Sequence, residues 1–216
     1  GTYPVTVRVC DDDQACTEGK LTITATNVPV EILSMQLTSA QPLLTEGLPV
    51  NLAVPFNDSG TLDTHSSTIN WGDGTPLEAG AITESPSGPP GSAAGANGTG
   101  RGSHKYADNG SYTVEVCIND DLAKTCRKQN IDVHNALPVV NAGPAQTVNE
   151  GIFMALAATF SDTGFDTATT KENFTATVDW GDGTTEPAKD ITLVETPGSA
   201  ASPTTGTIRA SHAYGK

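Results

Sequence analysis

The sequence is poor in basic residues, in aromatic side chains and in long apolar runs. Its 216 residues hold 11 Lys and Arg against 25 Asp and Glu, a formal net charge of −14. Nucleic-acid binding needs clustered positive charge, so this balance argues against it. No apolar run reaches the roughly 18 residues that a membrane-spanning helix needs. We therefore expect an acidic protein without a spanning segment, whose surface suits solubility and cation binding.

Signals of catalysis are also missing. The sequence has no G-x-S-x-G motif, no Cys–His nucleophile pattern and no phosphate-binding glycine loop, and nothing marks a catalytic pair of carboxylates. The histidines at positions 65, 104, 134 and 212 do not have the spacing of metal ligands. We predict that the chain is not an enzyme.

Helical periodicity is absent, and short alternating runs take its place. YPVTVRV (3–9), YTVEVCI (112–118) and FTATVDW (174–180) each place apolar residues at every second position. The 22 glycines and 14 prolines fall largely in turn signals between such runs. Many short strands of this kind predict an all-β fold of antiparallel sandwiches.

The four cysteines form two local pairs, Cys10/Cys16 and Cys117/Cys126. Zinc sites favour shorter spacing and histidine partners, so a disulfide across each hairpin is the better interpretation. Such bonds predict an oxidising, extracellular or cell-surface location.

The strand register supports these disulfides. If Cys10 faces Cys16, then Tyr3 faces Ile23 in the same hairpin. Pairing the other two cysteines brings Tyr112 opposite Ile131. Both hairpins thus place the same aromatic and β-branched pair face to face.

A repeat of about 108 residues organises the chain. Its copies share glycine, aspartate and tryptophan landmarks in the same order. The matched stretches are Thr45-Glu46-Gly47 with Asn149-Glu150-Gly151, Phe56-Asn57-Asp58-Ser59-Gly60 with Phe160-Ser161-Asp162-Thr163-Gly164, Asp63-Thr64 with Asp166-Thr167, and Trp71-Gly72-Asp73-Gly74-Thr75 with Trp180-Gly181-Asp182-Gly183-Thr184.

The repeat is out of phase with the chain. The final ASHAYGK matches the start of GSHKYADNGSYTVEV (102–116), and its continuation, GTYPVTVRV, stands at the N-terminus. We predict that residues 1–26 are the last strands of one unit, 27–134 a complete unit, and 135–216 the first three-quarters of another. The unit begun by residues 135–216 would be completed by residues 1–26 of the next chain or repeat, and residues 1–26 would complete the last unit of the preceding one.

Three motifs together resemble polycystic kidney disease (PKD) domains. They are W-G-D-G-T (71–75 and 180–184), S-H-x-Y (103–106 and 211–214) and G-x-Y-x-V-x-V (110–116). PKD domains are immunoglobulin-like sandwiches that occur in tandem in bacterial and archaeal surface proteins, and the resemblance covers nearly the whole chain. It implies tandem immunoglobulin-like sandwiches, arranged head to tail, in a non-catalytic spacer, adhesion or structural module.

Each W-G-D-G-T motif and the S-H that follows it carry a structural prediction. We expect the Trp to pack in the core, the Asp to accept turn amides, and the His to lie beside the Tyr of its strand. A solvent-exposed Trp would instead indicate carbohydrate stacking. The residues are Trp71, Asp73 and His104, with Trp180, Asp182 and His212.

Acidic side chains cluster at the hairpin tips and in the repeated loops. Calcium prefers oxygen ligands from carboxylates and carbonyls, and the resemblance implies that structural Ca²⁺ could be bound. The alternative is a solvated acidic surface, and the sequence does not indicate which acids converge. The candidates are Asp11, Asp12, Asp13, Glu46, Asp58, Asp63, Asp120, Asp121, Glu150, Asp162 and Asp166.

Residues 84–102, ESPSGPPGSAAGANGTGRG, have low complexity and predict a mobile surface loop. Asn97 begins an N-x-T triplet there. It is the candidate glycosylation site if the chain passes through a glycosylating pathway.

These observations favour a structural repeat protein of an extracellular filament, stalk or surface layer. The predicted partner is the protein itself, head to tail, either as separate chains that donate strands or as consecutive repeats of one longer chain. The alternatives are an adhesive or carbohydrate-binding module and accessory domains of a larger secreted enzyme.

Overall fold

The computed structural model describes residues 1–85, 95–186 and 190–215. Within these ranges the chain is all β, its strands pair antiparallel, and no helix is long and apolar enough to cross a membrane. The strands are β1 (Thr2–Cys10), β2 (Cys16–Thr24), β3 (Glu31–Ile32), β4 (Gln36–Thr38), β5 (Pro49–Asp58), β6 (Ser66–Asn70), β7 (Glu78–Ser85), β8 (Ala96–Lys105), β9 (Gly110–Asn119), β10 (Lys124–Val133), β11 (Val139–Asn141), β12 (Phe153–Asp162), β13 (Val178–Asp179), β14 (Thr185–Glu186), β15 (Thr192–Thr196) and β16 (Thr204–Ala213).

Residues 27–134 form one nearly closed sheet. Its order is β10-β9-β6-β7-β8-β5-β3, and β4 also pairs with β5. Strand β7 pairs with β6 on one side and β8 on the other, so the sheet turns back and encloses a core. The fully enclosed core side chains include Val50, Val54, Ile69, Trp71, Tyr106, Val114, Val116 and Ile118.

Alternation along β5 shows why this strand forms. Val50, Leu52, Val54 and Phe56 are at most 2% exposed, and the residues between them point outward. This period of two places every second residue in the core. Each enclosed side chain of this size stabilises the fold by about 1.5–3 kcal/mol.

The loop predicted for 84–102 is wrong over 84–85, which end β7, and over 96–102, which lie in β8. A Cβ added at Gly98 would lie 2.2 Å from the Phe56 ring, and one at Gly102 would lie 2.4 Å from Ile69. The glycines therefore face inward under large side chains. Asn97 is exposed on β8 and accepts a hydrogen bond from Asn57 (3.0 Å), so it is not in a loop. Positions 86–94 of the predicted loop lie outside the described residues.

Residues 135–215 form smaller sheets. Strands β11-β12-β16-β15 make one sheet, and β13 pairs with β14. A small core of Ala158, Phe160 and Ile208 has partly buried Phe174 and Ala176 against it. Only Val178–Asp179 of the strand predicted over 174–180 has strand pairing.

Strands β1 and β2 form a separate hairpin, and both predicted disulfides are present. The register pairs Cys10 with Cys16 and Tyr3 with Ile23, as predicted. In β9–β10, Tyr112 faces Ile131, again as predicted, and the second disulfide joins Cys117 to Cys126. Disulfides fit an oxidising environment.

Candidate functional site

In residues 27–134, which we call the first unit, the W-G-D-G-T motif forms a compact group of contacts with the end of β8. We call this group the clasp. The Trp71 ring stacks on His104 (centroids 5.0 Å apart, 13° between planes). His104 Nε2 lies 2.7 Å from Asp73 Oδ2, and Asp73 Oδ1 accepts a hydrogen bond from the Thr75 amide (3.1 Å). The Tyr106 hydroxyl donates to the Trp71 carbonyl (2.9 Å). The clasp joins the turn after β6 to the end of β8 and to Tyr106, which follows it.

Residues 135–215, which we call the second unit, contain the same clasp. Trp180 stacks on His212 (4.9 Å, 14°), and His212 Nε2 lies 2.8 Å from Asp182 Oδ2. Thr184 donates its amide to Asp182 (3.0 Å), and the Tyr214 hydroxyl donates to the Trp180 carbonyl (3.1 Å). Both tryptophans are buried, so neither ring offers the exposed face that carbohydrate stacking needs.

The two clasp aspartates have lowered pKa values. Burial alone would raise the pKa of Asp73, but hydrogen bonds from His104 and Thr75 outweigh it and bring the value to about 2. Hydrogen bonds from Thr184 and His212 lower the pKa of Asp182 to about 2. Both carboxylates are therefore ionised near neutral pH and act as hydrogen-bond acceptors.

The units differ where β9 packs in the first one. There β9 pairs with β6, and a Cβ added at Gly72 would lie 2.4 Å from the Thr113 carbonyl oxygen. Tyr112 stacks on Tyr106 with ring centroids 4.4 Å apart. At the matching Gly181, no described atom lies within 4 Å of an added Cβ. We call the side of the second unit next to Gly181 and β13 the open face.

The β1–β2 hairpin complements the open face, because no other part of the described chain covers its apolar side chains. Val7 is 52% exposed and Val9 62%, whereas Val116 and Ile118, their counterparts in β9, are 0% exposed. Tyr3 is 57% exposed. The hairpin thus has the side chains of a core strand and lies outside any core.

The acids at the hairpin tips do not converge on a shared position. Asp11, Asp12 and Asp13 are exposed, and Asp11 caps its own turn through the Ala15 amide (2.8 Å). Asp120 accepts the amides of its own turn, from Leu122 and Ala123, and the side-chain amide of Asn27. Burial would raise the pKa of Asp120, but these bonds lower it. Asp121 accepts the Thr64 hydroxyl (2.6 Å).

Asp58 is the last residue of β5 and is part of a buried network, and Asp63 lies in the loop that follows. Asp58 Oδ2 lies 3.0 Å from His65 Nε2, and His65 Nδ1 lies 2.8 Å from Glu84 Oε1. Burial would lower the pKa of His65, but bonds to the two carboxylates raise it. Burial raises the pKa of Asp63, and the nearby charges of Asp58, Asp121 and Asp120 add to the rise, so this loop acid lies near the β9–β10 hairpin tip although, among the described residues, their ligand atoms do not form a close group. These acids already have protein partners or neighbours of their own.

In the second unit, the predicted acids have separate surroundings. Asp162 is buried and accepts the Gly164 amide (2.8 Å). Asp166 pairs with Lys171 (2.6 Å), which lowers the pKa of Asp166. Glu150, the counterpart of Glu46, is exposed.

Three carboxylates do come together at the junction between the two units. Oxygen atoms of Glu46, Asp108 and Glu172 lie within 4.8 Å of one another, and we call this group the junction cluster. In the described part of the chain one other group of potential ligands is as close, but two of its members are the disulfide-bonded Cys117 and Cys126. The junction cluster is therefore the candidate site.

Backbone contacts from both units hold the junction cluster. Glu46 precedes β5, and its amide donates to the His134 carbonyl (3.0 Å). The Glu46 carbonyl accepts the Thr163 hydroxyl (3.2 Å), and the Phe165 amide donates to the Ala107 carbonyl (3.0 Å). The linker contributes the Ala136 amide, which donates to Glu46 Oε1 (2.7 Å). The site thus exists only where the units meet.

Burial and mutual repulsion raise the pKa of two cluster carboxyls. Burial raises the pKa of Glu46, the backbone amides oppose it, and Asp162 and Asp108 add to the rise. Burial raises the pKa of Glu172 to about 7, and the charges of Glu46, Asp108 and Asp162 contribute. Glu46 and Glu172 therefore hold a proton more readily than ordinary carboxyls do, and no Lys, Arg or His of the described residues forms an ion pair with them.

Of the three carboxylates in the junction cluster, the sequence predicted Glu46 as a candidate ligand but not Asp108 or Glu172. Asp108 lies in a turn of ordinary composition, A-D-N-G (107–110). Glu172 lies in a stretch, Asp166 to Trp180, that is longer than its counterpart in the first unit. That extra length at a repeat landmark was the available signal. Comparison with protein-family models and with curated protein sequences gives no match.

Proposed function

We propose that the protein is a non-catalytic structural repeat protein of an extracellular filament, stalk or surface layer. In this proposal PKD-like, immunoglobulin-like sandwiches follow one another head to tail. Residues 27–134 are a complete unit, and residues 135–216 are completed by a hairpin with the sequence of residues 1–26. The proposal rests on two observations that complement each other. The apolar face of the β1–β2 hairpin is exposed, and the open face has no described atom beside Gly181.

The first unit supplies the template for this docking. In it Glu115 of β9 is the direct partner of Asn70 in β6. The repeat equates these positions with Thr6 in β1 and Asp179 in β13. The space at Gly181 corresponds to the place that the Thr113 backbone fills beside Gly72. A donated β1 would therefore pair with β13 as β9 pairs with β6.

Burial of the hairpin supplies the driving force. Val7, Val9, Leu21 and Ile23 are each 50–62% exposed, and covering each one is worth about 1 kcal/mol at the usual value per area. Docking would also pair the backbone groups along the free edge of β13, which otherwise remain available for association. A contact of this heterologous kind does not close on itself and extends into a fibre.

A disulfide-trapping experiment tests the proposal. We expect the Thr6→Cys, Asp179→Cys double variant to form a ladder of linked chains on mild oxidation, because cross-strand partners lie close enough for a disulfide. Each single-cysteine variant is the matched control and can give at most linked pairs. Two results together would overturn the proposal. The double variant would stay monomeric on oxidation, and the wild type would sediment as a monomer at its highest soluble concentration.

The source of the hairpin is a separate question with its own measurement. Peptide mass spectrometry of denatured native material, after cleavage that spares lysine, can detect a peptide that runs from Lys216 into Gly1. Such a peptide means that consecutive repeats of one longer chain complete each other. A free amine at Gly1 and a free carboxylate at Lys216 mean that separate chains donate strands.

A further inference from the structure

The junction cluster has no cationic partner among the described residues; Glu46 is buried, and Asp108 and Glu172 are half-buried. None of the ion pairs in the described residues involves Glu46, Asp108 or Glu172. Three ionised carboxylates within 4.8 Å of one another would repel one another strongly where water is partly excluded. A compensating positive charge would have to come from outside the described protein atoms.

Glu46 provides an independent indication of a ligand. Its side chain is 0% exposed, so it is wholly removed from solvent. Oε1 accepts the Ala136 amide, and the Asn109 amide is near enough to lower the pKa of Glu46, but Oε2 is buried and forms no hydrogen bond of acceptable geometry with the described residues. Leaving a buried carboxylate oxygen unpaired is costly, and native structures rarely do so without a bound ion or water.

We propose that Glu46, Asp108 and Glu172 bind a calcium ion that locks the two units together. Calcium ligands lie 2.3–2.6 Å from the ion, so two oxygens on one ion are at most about 5 Å apart. The spacing of the three carboxylates fits this limit. The group contains only oxygen donors and neither histidine nor free thiol, which favours a hard cation over zinc.

The ion would bridge segments that are distant in sequence. Glu46 and Asp108 belong to residues 27–134, and Glu172 belongs to the segment after Asp166. Binding would therefore restrain the angle between the units, in addition to the Thr163 and Phe165 hydrogen bonds. This proposal needs only one chain and does not depend on head-to-tail docking.

Calcium titration of the full chain by calorimetry tests the site. We expect a single strong site in the wild type, and at least a tenfold weaker affinity in Glu172→Gln and in Asp108→Asn. Glu150→Gln is the matched control, because it makes the same change at the exposed counterpart of Glu46 and should leave affinity unchanged. Terbium luminescence gives a second readout, because the Tyr112 hydroxyl donates to the Asp108 carbonyl (2.7 Å) and its ring can sensitise an ion there.

Thermal unfolding separates loss of the site from loss of the fold. In the presence of a chelator, Glu172→Gln should unfold at the same temperature as the wild type or higher, since one of the repelling charges is gone. Added calcium should raise the unfolding temperature of the wild type and not that of the variant. Three results would overturn the proposal: no calcium binding at millimolar concentration, binding that both variants retain, or magnesium binding of equal affinity.

Discussion

The two repeat units have the same clasp but different cores. Trp71 is fully enclosed, and Trp180 keeps 7% of its surface exposed and has no hydrogen-bond partner for its indole nitrogen among the described residues. The distances between clasp side chains agree within 0.2 Å for the tryptophan–histidine and histidine–aspartate contacts. The clasp therefore forms from residues within the first three-quarters of a unit. Enclosing its core requires the last two strands.

The first unit shows what those strands contribute. Val114, Val116 and Ile118 of β9 are 0% exposed and complete the inner surface. The hairpin of residues 1–26 has Val5, Val7 and Val9 at the matching positions without a core to enter. The sequence of a strand specifies which face is apolar, but burial depends on the partner that it meets.

The largest difference should follow removal of the clasp tryptophans. We expect Trp71→Ala to destabilise residues 27–134 by about 3–5 kcal/mol, because it leaves a cavity where a fully enclosed side chain packed. Trp180→Ala should cost about 1–2 kcal/mol in the separate chain, because its surroundings are open and can relax. Urea unfolding with hydrogen exchange by peptide measures each unit. Equal losses would mean that the second unit is closed without a donated hairpin.

Alanine substitutions at the clasp glycines compare the filled space beside Gly72 with the open space beside Gly181. Gly72 and Gly181 have φ of +83° and +79°, so alanine costs about 1–2 kcal/mol at either one. Gly72→Ala should cost more, because its Cβ meets the Thr113 backbone, and chemical denaturation measures this. Gly181→Ala should also abolish the disulfide ladder of the Thr6 and Asp179 cysteine variant.

Gly183→Ala is the control for that second effect. Gly183 has φ of +90°, and an added Cβ meets no described atom either there or at its counterpart Gly74 in the complete unit. It should carry the same backbone cost and leave the ladder intact. If Gly183→Ala also abolished the ladder, the effect of Gly181→Ala would come from destabilisation of the unit, and not from a Cβ that occupies the space where β1 docks.

The smallest effect should appear in acid. The folded pKa of Asp73, about 2, lies below its ordinary value of 3.8. Its contribution to stability is therefore present above pH 4 and is lost as the pH falls towards 2. Unfolding temperature measured between pH 5 and 2 should fall less steeply in Asp73→Asn. Asp182→Asn should act in the same direction on the second unit, and a parallel slope in wild type and variants would contradict the clasp's role.

Local pattern predicted the hairpins well, because their information lies in a few adjacent residues. Alternation placed Val114 and Val116 on one face, and the cysteine spacing set the register that brings Tyr112 opposite Ile131. Period-two burial and cross-strand pairing both act within one hairpin. No distant part of the chain was needed to infer them.

Features that depend on distant contacts escaped prediction. The glycines of β8 had the composition of a loop, although Gly98 and Gly102 are small because Phe56 and Ile69 occupy the space above them. Glu172 has no counterpart in the other unit, so the repeat gave no indication of its role. Its meeting with Glu46 results from how the two units pack.

The junction cluster also has no second copy in the repeat. Glu172 has no counterpart, and the sequence position that matches Asp108 is Lys216, a base. In an extended array the joints would therefore alternate between an acidic type and a plain type. Bending compliances of joints in series add, so stiffening every second joint leaves the flexibility of the others unchanged. Such an array would bend as rigid pairs of units, with the plain joint setting its overall stiffness.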